Sequence, residues 1–140
     1  MNKDLHNNVN GQVFYRPAVV GADGTTTSQV IDLEAAGANS CDIMAFLGAR
    51  TDGTFTLTVQ DSDDNVTYAA VADEFLIGDP DENVLNTAYQ MVRYGYIGQK
   101  QYLRLSVVAS AVTSGALVGA LFVGGNLTDA PSDTYYGTAA

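Results

Sequence analysis

The sequence predicts an all-β fold: a single-domain antiparallel β-sandwich or jelly-roll-like barrel with about eight short strands. Three observations predict this class. Apolar and polar residues alternate in short runs, turns rich in Asp, Gly and Asn separate the runs at intervals of roughly 8–15 residues, and no useful length of chain has helical spacing of its apolar residues. The chain has 140 residues, which is the length of one domain with one core.

The first half of the chain predicts an edge strand followed by a meander. Residues 1–11 are polar and form a predicted N-terminal arm, ahead of a domain that spans residues 12–125. The first strand contains Pro17, which cannot donate to a ladder, so we expect an edge strand bent at that residue. Three later segments are predicted to form a three-stranded meander: residues 41–49, 54–60 and 66–71.

Alternation within residues 54–60 also predicts which side chains are buried. Phe55, Leu57 and Val59 share one face of the strand, and threonines occupy the other, which is typical of a half-buried antiparallel strand. We therefore expect those three side chains in the core. Residues 72–76 are predicted to form one helical turn that ends at Gly78.

The second half of the chain predicts two paired strands rich in tyrosine, residues 89–97 and 102–109, and a last strand, residues 116–123. The last strand is apolar on both faces, as expected of a central strand or of one covered by its own core and by a neighbouring subunit. Residues 126–140 are polar and form a predicted C-terminal arm. Four tyrosines are expected on the two paired strands, as a partly exposed sheet face or as a contact surface for a partner: Tyr89, Tyr94, Tyr96 and Tyr102.

Composition excludes several classes of function. The net charge is −10, from 16 acidic and 6 basic residues, so neither nucleic acid nor an anionic membrane surface is an expected partner. One cysteine, Cys41, and one histidine, His6, cannot form an intramolecular disulfide or a structural zinc site. Cys41 begins an apolar strand and is expected to be a buried, inert thiol. The polar N-terminus lacks an apolar signal core, so we expect synthesis in the cytosol.

No catalytic residue and no cofactor is predicted. Serine and cysteine nucleophiles need a positioned base, and His6 lies in the predicted arm. The strongest metal candidate is a weak calcium loop in which Asp61, Asp63 and Asn65 alternate as oxygen ligands. Val66 stands where such a loop has glycine, and Ala72 stands where it has a bidentate glutamate. The sequence therefore favours an ordinary Asx-type turn.

Five segments of the chain are distinctive: MNKDLHNN (1–8), QVIDL (29–33), TFTLTVQDSDD (54–64), YAAVADEFLIG (68–78) and YGYIGQKQYLRL (94–105). In this order they resemble small structural proteins of tailed bacteriophages and prophages. The resemblance covers about residues 1–123, and its most distinctive pieces are the first and last segments. Neither piece is a catalytic signature, so the resemblance indicates a family and not a reaction.

The resemblance implies a virion component, a capsid decoration or cement protein that stabilises the expanded head shell. It implies the major capsid protein as partner, a homo-oligomer with a trimer favoured, and a place on the capsid surface after synthesis in the host bacterial cytoplasm. Contact residues are expected in the two arms and on a tyrosine-rich strand: Leu5, Val9, Tyr94, Tyr96, Tyr135 and Tyr136.

Two alternatives remain open. One is a head–tail junction or tail component, which would be present in few copies per particle. The other is a carbohydrate-binding β-sandwich, in which surface tyrosines would stack on sugars. The chain contains no tryptophan, which disfavours the second alternative.

Overall fold

Two antiparallel sheets form a sandwich in the computed structural model, which describes residues 4–79 and 81–128. The five-stranded sheet has, in spatial order, β1 (Asn10–Val20), β11 (Ala116–Leu127), β4 (Ala38–Arg50), β9 (Met91–Tyr96) and β7 (Leu76–Ile77). The six-stranded sheet has β2 (Gly24–Thr27), β10 (Tyr102–Ser110), β5 (Thr54–Ser62) and β6 (Ala69–Ala70), with β3 (Ile31–Asp32) paired to β10 and β8 (Val84–Leu85) paired to β5. The predicted β-sandwich is confirmed, with eleven strands in the described residues and no barrel closure.

The predicted strand pairings are wrong at two places. Strands β4 and β5 do not form a meander, because they lie in opposite sheets, and β5 pairs with β10 along its whole length. Strands β9 and β10 also lie in opposite sheets, so they do not form a hairpin. In both cases a short connection carries the chain from one sheet to the other. The connection after β4 is held by Asp52, whose carboxylate accepts hydrogen bonds from the backbone N–H groups of Thr113, Ser114 and Gly115.

The core lies between the sheets and follows the predicted alternation. Phe55, Leu57 and Val59 of β5 are buried, which confirms the face assigned to them. Phe14 of β1 meets Phe122 of β11 edge-to-face, with ring centroids 6.4 Å apart. Both sheets contribute buried aromatic and aliphatic side chains to the space between them. The sandwich therefore has a complete core of its own.

Strand β1 is an edge strand, as predicted. Its pairing with β11 shifts register between Val13 and Tyr15 and again between Tyr15 and Ala18. The second shift contains Pro17, which cannot donate to the ladder. The strand begins at Asn10, inside the predicted N-terminal arm, and β11 continues to Leu127, inside the predicted C-terminal arm.

Helical structure is short. A one-turn helix, α1 (Leu33–Ala36), is capped by Asp32, whose carboxylate accepts from the N–H groups of Glu34 and Ala35. A 3₁₀ turn at Asp73–Phe75 agrees with the helical turn predicted at 72–76, and another lies at His6–Asn8. Within residues 4–79 and 81–128, no helix is long and apolar enough to cross a membrane.

Candidate functional site

The outer face of the five-stranded sheet is the candidate functional site. Along β11 the even-numbered residues from Ala116 to Phe122 are buried in the core, so the odd-numbered side chains point outward. Residues paired directly across antiparallel strands share a face, and the register therefore extends the outward set to the neighbouring strands. We call this surface the apolar face; its members are Val13, Val19, Met44, Phe46, Ile77, Met91, Leu117, Leu121 and Val123, with Asp42, Arg93, Gly95 and Gly119 between them.

Large side chains on the apolar face remain exposed although the core beneath them is complete. Val19 is 67% exposed and Met91 is 55% exposed, and Leu117 and Leu121 in the middle of the sheet are also exposed. Scattered apolar residues on a surface are ordinary, but these share one continuous sheet face. A continuous apolar face of this kind is typical of a surface that another protein covers.

Glycines keep the apolar face flat. A Cβ at Gly119 would lie 2.9 Å from the Phe46 ring, and one at Gly48 would lie 2.9 Å from a Leu117 methyl group. The large side chains thus lie over glycines on the adjacent strand and do not project from the sheet. A flat face can approach another flat surface closely.

One ion pair provides the charge on the apolar face. The Arg93 guanidinium contacts the Asp42 carboxylate, with Nη2 at 2.9 Å and Nε at 3.0 Å from the same oxygen, Oδ2. The two charges cancel, so the outward positions that define the face carry no net charge in a chain of net charge −10. This ion pair borders an open groove of about 500 Å³, whose other walls include Ser40, Ile77 and Gly125.

Cys41 lies beside this groove but faces inward and is half-buried. Burial raises the pKa of its thiol to about 12, against a weaker opposing effect of the Tyr96 backbone. The group is therefore a neutral thiol at physiological pH, in agreement with the inert thiol that the sequence predicts.

Tyr94 and Tyr96 do not form the exposed contact surface that the sequence predicted for them. Both side chains are 3% exposed, because β9 turns them into the core. Their hydroxyl groups find interior partners: Tyr94 donates to the Glu82 carbonyl at 2.9 Å, and Tyr96 donates to the Asp61 carboxylate at 2.8 Å. A buried tyrosine needs such a partner, and these come from distant elements that the local sequence does not reveal.

The calcium candidate is also corrected by the structure. Asp61 is buried, where it accepts from Tyr96 and lies 3.7 Å from the Lys100 ammonium nitrogen, whereas Asp63 is exposed to solvent. Asn65 accepts a hydrogen bond from the Tyr68 hydroxyl. No group of three or more His, Cys, Asp or Glu residues in the described part of the chain could hold a metal ion. The segment is an Asx-type turn.

That turn is organised by Asp64, which is not one of the three residues of the calcium candidate. Its carboxylate accepts from the backbone N–H groups of Val66 and Thr67, each at 2.9 Å, and from the Ser62 hydroxyl. These hydrogen bonds lower the pKa of Asp64 to about 2. The local signal that could have identified it is an aspartate within a run of turn residues, because its side chain can accept from the backbone N–H groups two and three residues later.

The other predicted contact residues lie at the two ends of the chain. Leu5 is 70% exposed beside the 3₁₀ turn at His6–Asn8, and Val9 is half-buried just before β1. Tyr135 and Tyr136 lie outside the described residues. The structure therefore places Leu5 and Val9 at the start of the sandwich, on either side of the 3₁₀ turn.

The outer face of the six-stranded sheet has a different character. Its outward positions on β5 and β10 are mainly hydroxyl-bearing, and Arg104 lies over the Tyr68 ring with its guanidinium carbon 4.0 Å from the ring centroid. Val108 and Val84 are exposed aliphatic residues on this face, and Thr56 lies between them. The two outer surfaces of the sandwich are thus chemically distinct, one apolar and one polar.

No protein-family model and no curated protein matches the sequence. Solved structures do match the fold. The PBSX exported protein XepA is similar with a TM-score of 0.56 and 19% identity, over 85% of this chain and 38% of XepA. A Clostridium thermocellum endo-1,4-β-D-xylanase 10B with CBM22-1 and GH10 modules, complexed with xylohexaose, has a TM-score of 0.40 and 10% identity, over 89% of this chain and 27% of that one. The chain spans little more than a third of XepA, and the similarity shows a shared fold.

Proposed function

We propose that this chain is a non-enzymatic structural protein of a phage or prophage virion and that it decorates the capsid shell. The observation that carries the proposal is the apolar face, where Val19, Met91 and Leu121 remain exposed above a complete core. Covering such a surface with another protein removes apolar area from water, which is the main driving force for protein association. We therefore expect this face to bind another protein. The phage assignment is supported by the resemblance of residues 1–8 and 94–105 and by the fold shared with XepA.

The segment 4–9 is the proposed contact with the major capsid protein. The Asp4 carboxylate accepts from the Asn7 backbone at 3.1 Å and from its side-chain amide at 2.8 Å, and the Asn8 N–H donates to the Leu5 carbonyl at 3.0 Å. These bonds hold a turn that presents Leu5 to the surroundings. Leu5 and Val9 supply apolar contacts there, and Tyr135 and Tyr136 belong to the same proposed set.

A head–tail junction or tail role is the alternative within the same class. Copy number separates the two, because a decoration protein covers the shell and a junction protein forms one ring. Quantitative mass spectrometry of purified virions, calibrated against the major capsid protein, measures it. A ratio near one to one supports decoration, and a ratio on the order of one to a hundred overturns it in favour of the junction or tail. A carbohydrate-binding role is not proposed, because two of the four strand tyrosines, Tyr94 and Tyr96, are buried and only Tyr89 of that set is well exposed.

Shell binding by the segment 4–9 is tested with expanded shells and two matched variants. Leu5→Asp places a charge on the proposed contact, whereas Val66→Asp does the same on the exposed turn after β5. After co-sedimentation and gel densitometry, we expect Leu5→Asp to lose most of its occupancy and Val66→Asp to keep it. Equal occupancy of the two variants would remove this segment from the contact.

A further inference from the structure

We propose that the apolar face binds the apolar face of a second copy of this chain, around a two-fold axis. This inference rests on the proposed function in that it treats the face as an assembly surface, and it names the occupant of that surface. The proposed shell contact is the segment 4–9, which precedes β1.

The dimensions of the face suit a dimer. Five strands spaced about 4.8 Å apart span about 20 Å, and the paired length of the central strands is about 30 Å. The projected area of the sheet face is therefore about 600 Å². The accessible area is larger because the side chains are uneven, and it approaches the roughly 800 Å² per partner of a standard interface. A sheet face of this size, apolar at its centre, is sufficient for a specific dimer.

The face is complementary to itself. A head-to-tail contact would need a second apolar surface elsewhere on the chain, but the opposite outer face of the sandwich is hydroxyl-rich where it is described, and its exposed Val84 and Val108 are separated by Thr56. The matching surface for Leu117 and Leu121 is therefore the same surface of another copy. Such a contact is closed by a two-fold axis and yields a dimer, whereas the phage resemblance favours a trimer.

Charge supports the same occupant. Two chains that each carry a net charge of −10 repel, so they associate best through a surface that has no net charge of its own. On the apolar face the Asp42 and Arg93 charges cancel within 3.0 Å. The same arrangement gives no attraction for a strongly charged partner. Flat sheet faces pack about 10 Å apart, and the Ile77 and Phe46 side chains lie close over Gly95 and Gly119, which keeps the face low.

The experiment is sedimentation equilibrium from about 1 to 100 µM on three forms of the full chain. Leu121→Glu places a carboxylate at the centre of the apolar face. Val108→Glu makes the same kind of change on the opposite face, at a central strand and at nearly equal exposure, 40% against 38%. We expect the wild type and Val108→Glu to approach twice the 14.7 kDa chain mass, and Leu121→Glu to dissociate at least about 100-fold more readily.

Other results overturn the inference. A wild type that stays at the monomer mass at 100 µM, a trimer, or equal dissociation by both variants each contradicts a two-fold contact through this face. If circular dichroism shows that Leu121→Glu is unfolded, Met91→Glu decides, because Met91 is an exposed member of the same face and lies on a different strand.

Co-sedimentation with shells separates this inference from the proposed function. A monomeric wild type that binds shells, and loses binding with Leu121→Glu, means that the capsid protein covers the apolar face; the inference then fails and the function stands. If the wild type is a dimer that does not bind shells, the inference stands and the proposed function fails.

Discussion

The Tyr96 hydroxyl donates a 2.8 Å hydrogen bond to the buried Asp61 carboxylate, and this contact joins the two sheets of the sandwich. Tyr96 lies on β9 and Asp61 on β5, and the Lys100 backbone N–H donates to the same hydroxyl. A carboxylate in such a position needs its hydrogen bonds, because an unsatisfied buried charge is unfavourable.

Replacing Tyr96 with Phe removes that donor and leaves Asp61 less well satisfied. We expect the free energy of unfolding to fall by about 1–3 kcal/mol. Urea denaturation followed by circular dichroism measures it. Tyr89→Phe is the matched control, because Tyr89 is exposed, and it should leave the stability unchanged. Equal stability of the Tyr96→Phe variant and the wild type would contradict the bridging role.

Alkaline pH should destabilise the fold. Burial, followed by the charges of Asp79 and Glu82, raises the pKa of Tyr94 from 10 to about 12. The folded state therefore favours the neutral hydroxyl. Its contribution to stability is complete below pH 10 and is lost as the pH rises through about 12. Burial of Cys41 and Tyr96 adds to the same loss, because the pKa values of both groups are also raised.

Urea denaturation midpoints measured between pH 8 and pH 11.5 test this expectation. The midpoint should fall above about pH 9, where the Cys41 thiol of the unfolded chain begins to ionise. Tyr94→Phe should weaken the dependence above pH 10. A midpoint that does not change over this range would show that neither hydroxyl is held neutral by the fold.

Asp52 should control the loop between β10 and β11. Its Oδ1 accepts from the N–H groups of Thr113 at 2.9 Å and Gly115 at 2.8 Å, and these bonds lower its pKa. In Asp52→Ala those two amides lose their acceptor, so we expect their hydrogen exchange to quicken by about tenfold or more. Asp63→Ala, at an exposed aspartate, should leave them protected. Unchanged exchange in Asp52→Ala would mean that the loop is held by its other contacts.

Leu57→Ala should test the buried face of β5. The side chain is fully buried between the sheets, so its truncation should lower the free energy of unfolding by about 2–5 kcal/mol. Thr56→Ala, at the next residue and on the opposite face, should change it by less than about 0.5 kcal/mol. Chemical denaturation measures both, and a loss below about 1 kcal/mol for Leu57→Ala would contradict the packing described.

Local patterns predicted the strands better than their partners. The alternation through Phe55, Leu57 and Val59 specifies a buried face, but it does not specify which sheet the strand joins. That choice depends on long-range contacts such as the one from Asp52 to Gly115, which nothing in the Thr51–Gly53 turn reveals. The pairing of β5 with β10 is therefore a property of the whole fold.

The candidate site shows the same limit. Apolar residues on both faces of 116–123 indicated a strand that could be covered on both sides. The continuous apolar face emerges only when the register aligns Leu121 with Val13 and Met44 on neighbouring strands. Tyrosine is typical of protein contact surfaces, so the sequence favours surface positions for Tyr94 and Tyr96. Their interior partners, Glu82 and Asp61, are remote in sequence and no local pattern reveals them.

The edges of the five-stranded sheet limit how this protein can polymerise. On one side β1 carries two register shifts and Pro17, and on the other side β7 consists of Leu76 and Ile77 alone. Neither edge offers the long, regular backbone that templates an added strand, so the sheet is protected from growing into a filament. Copies can therefore crowd together at high local concentration without amyloid-like stacking.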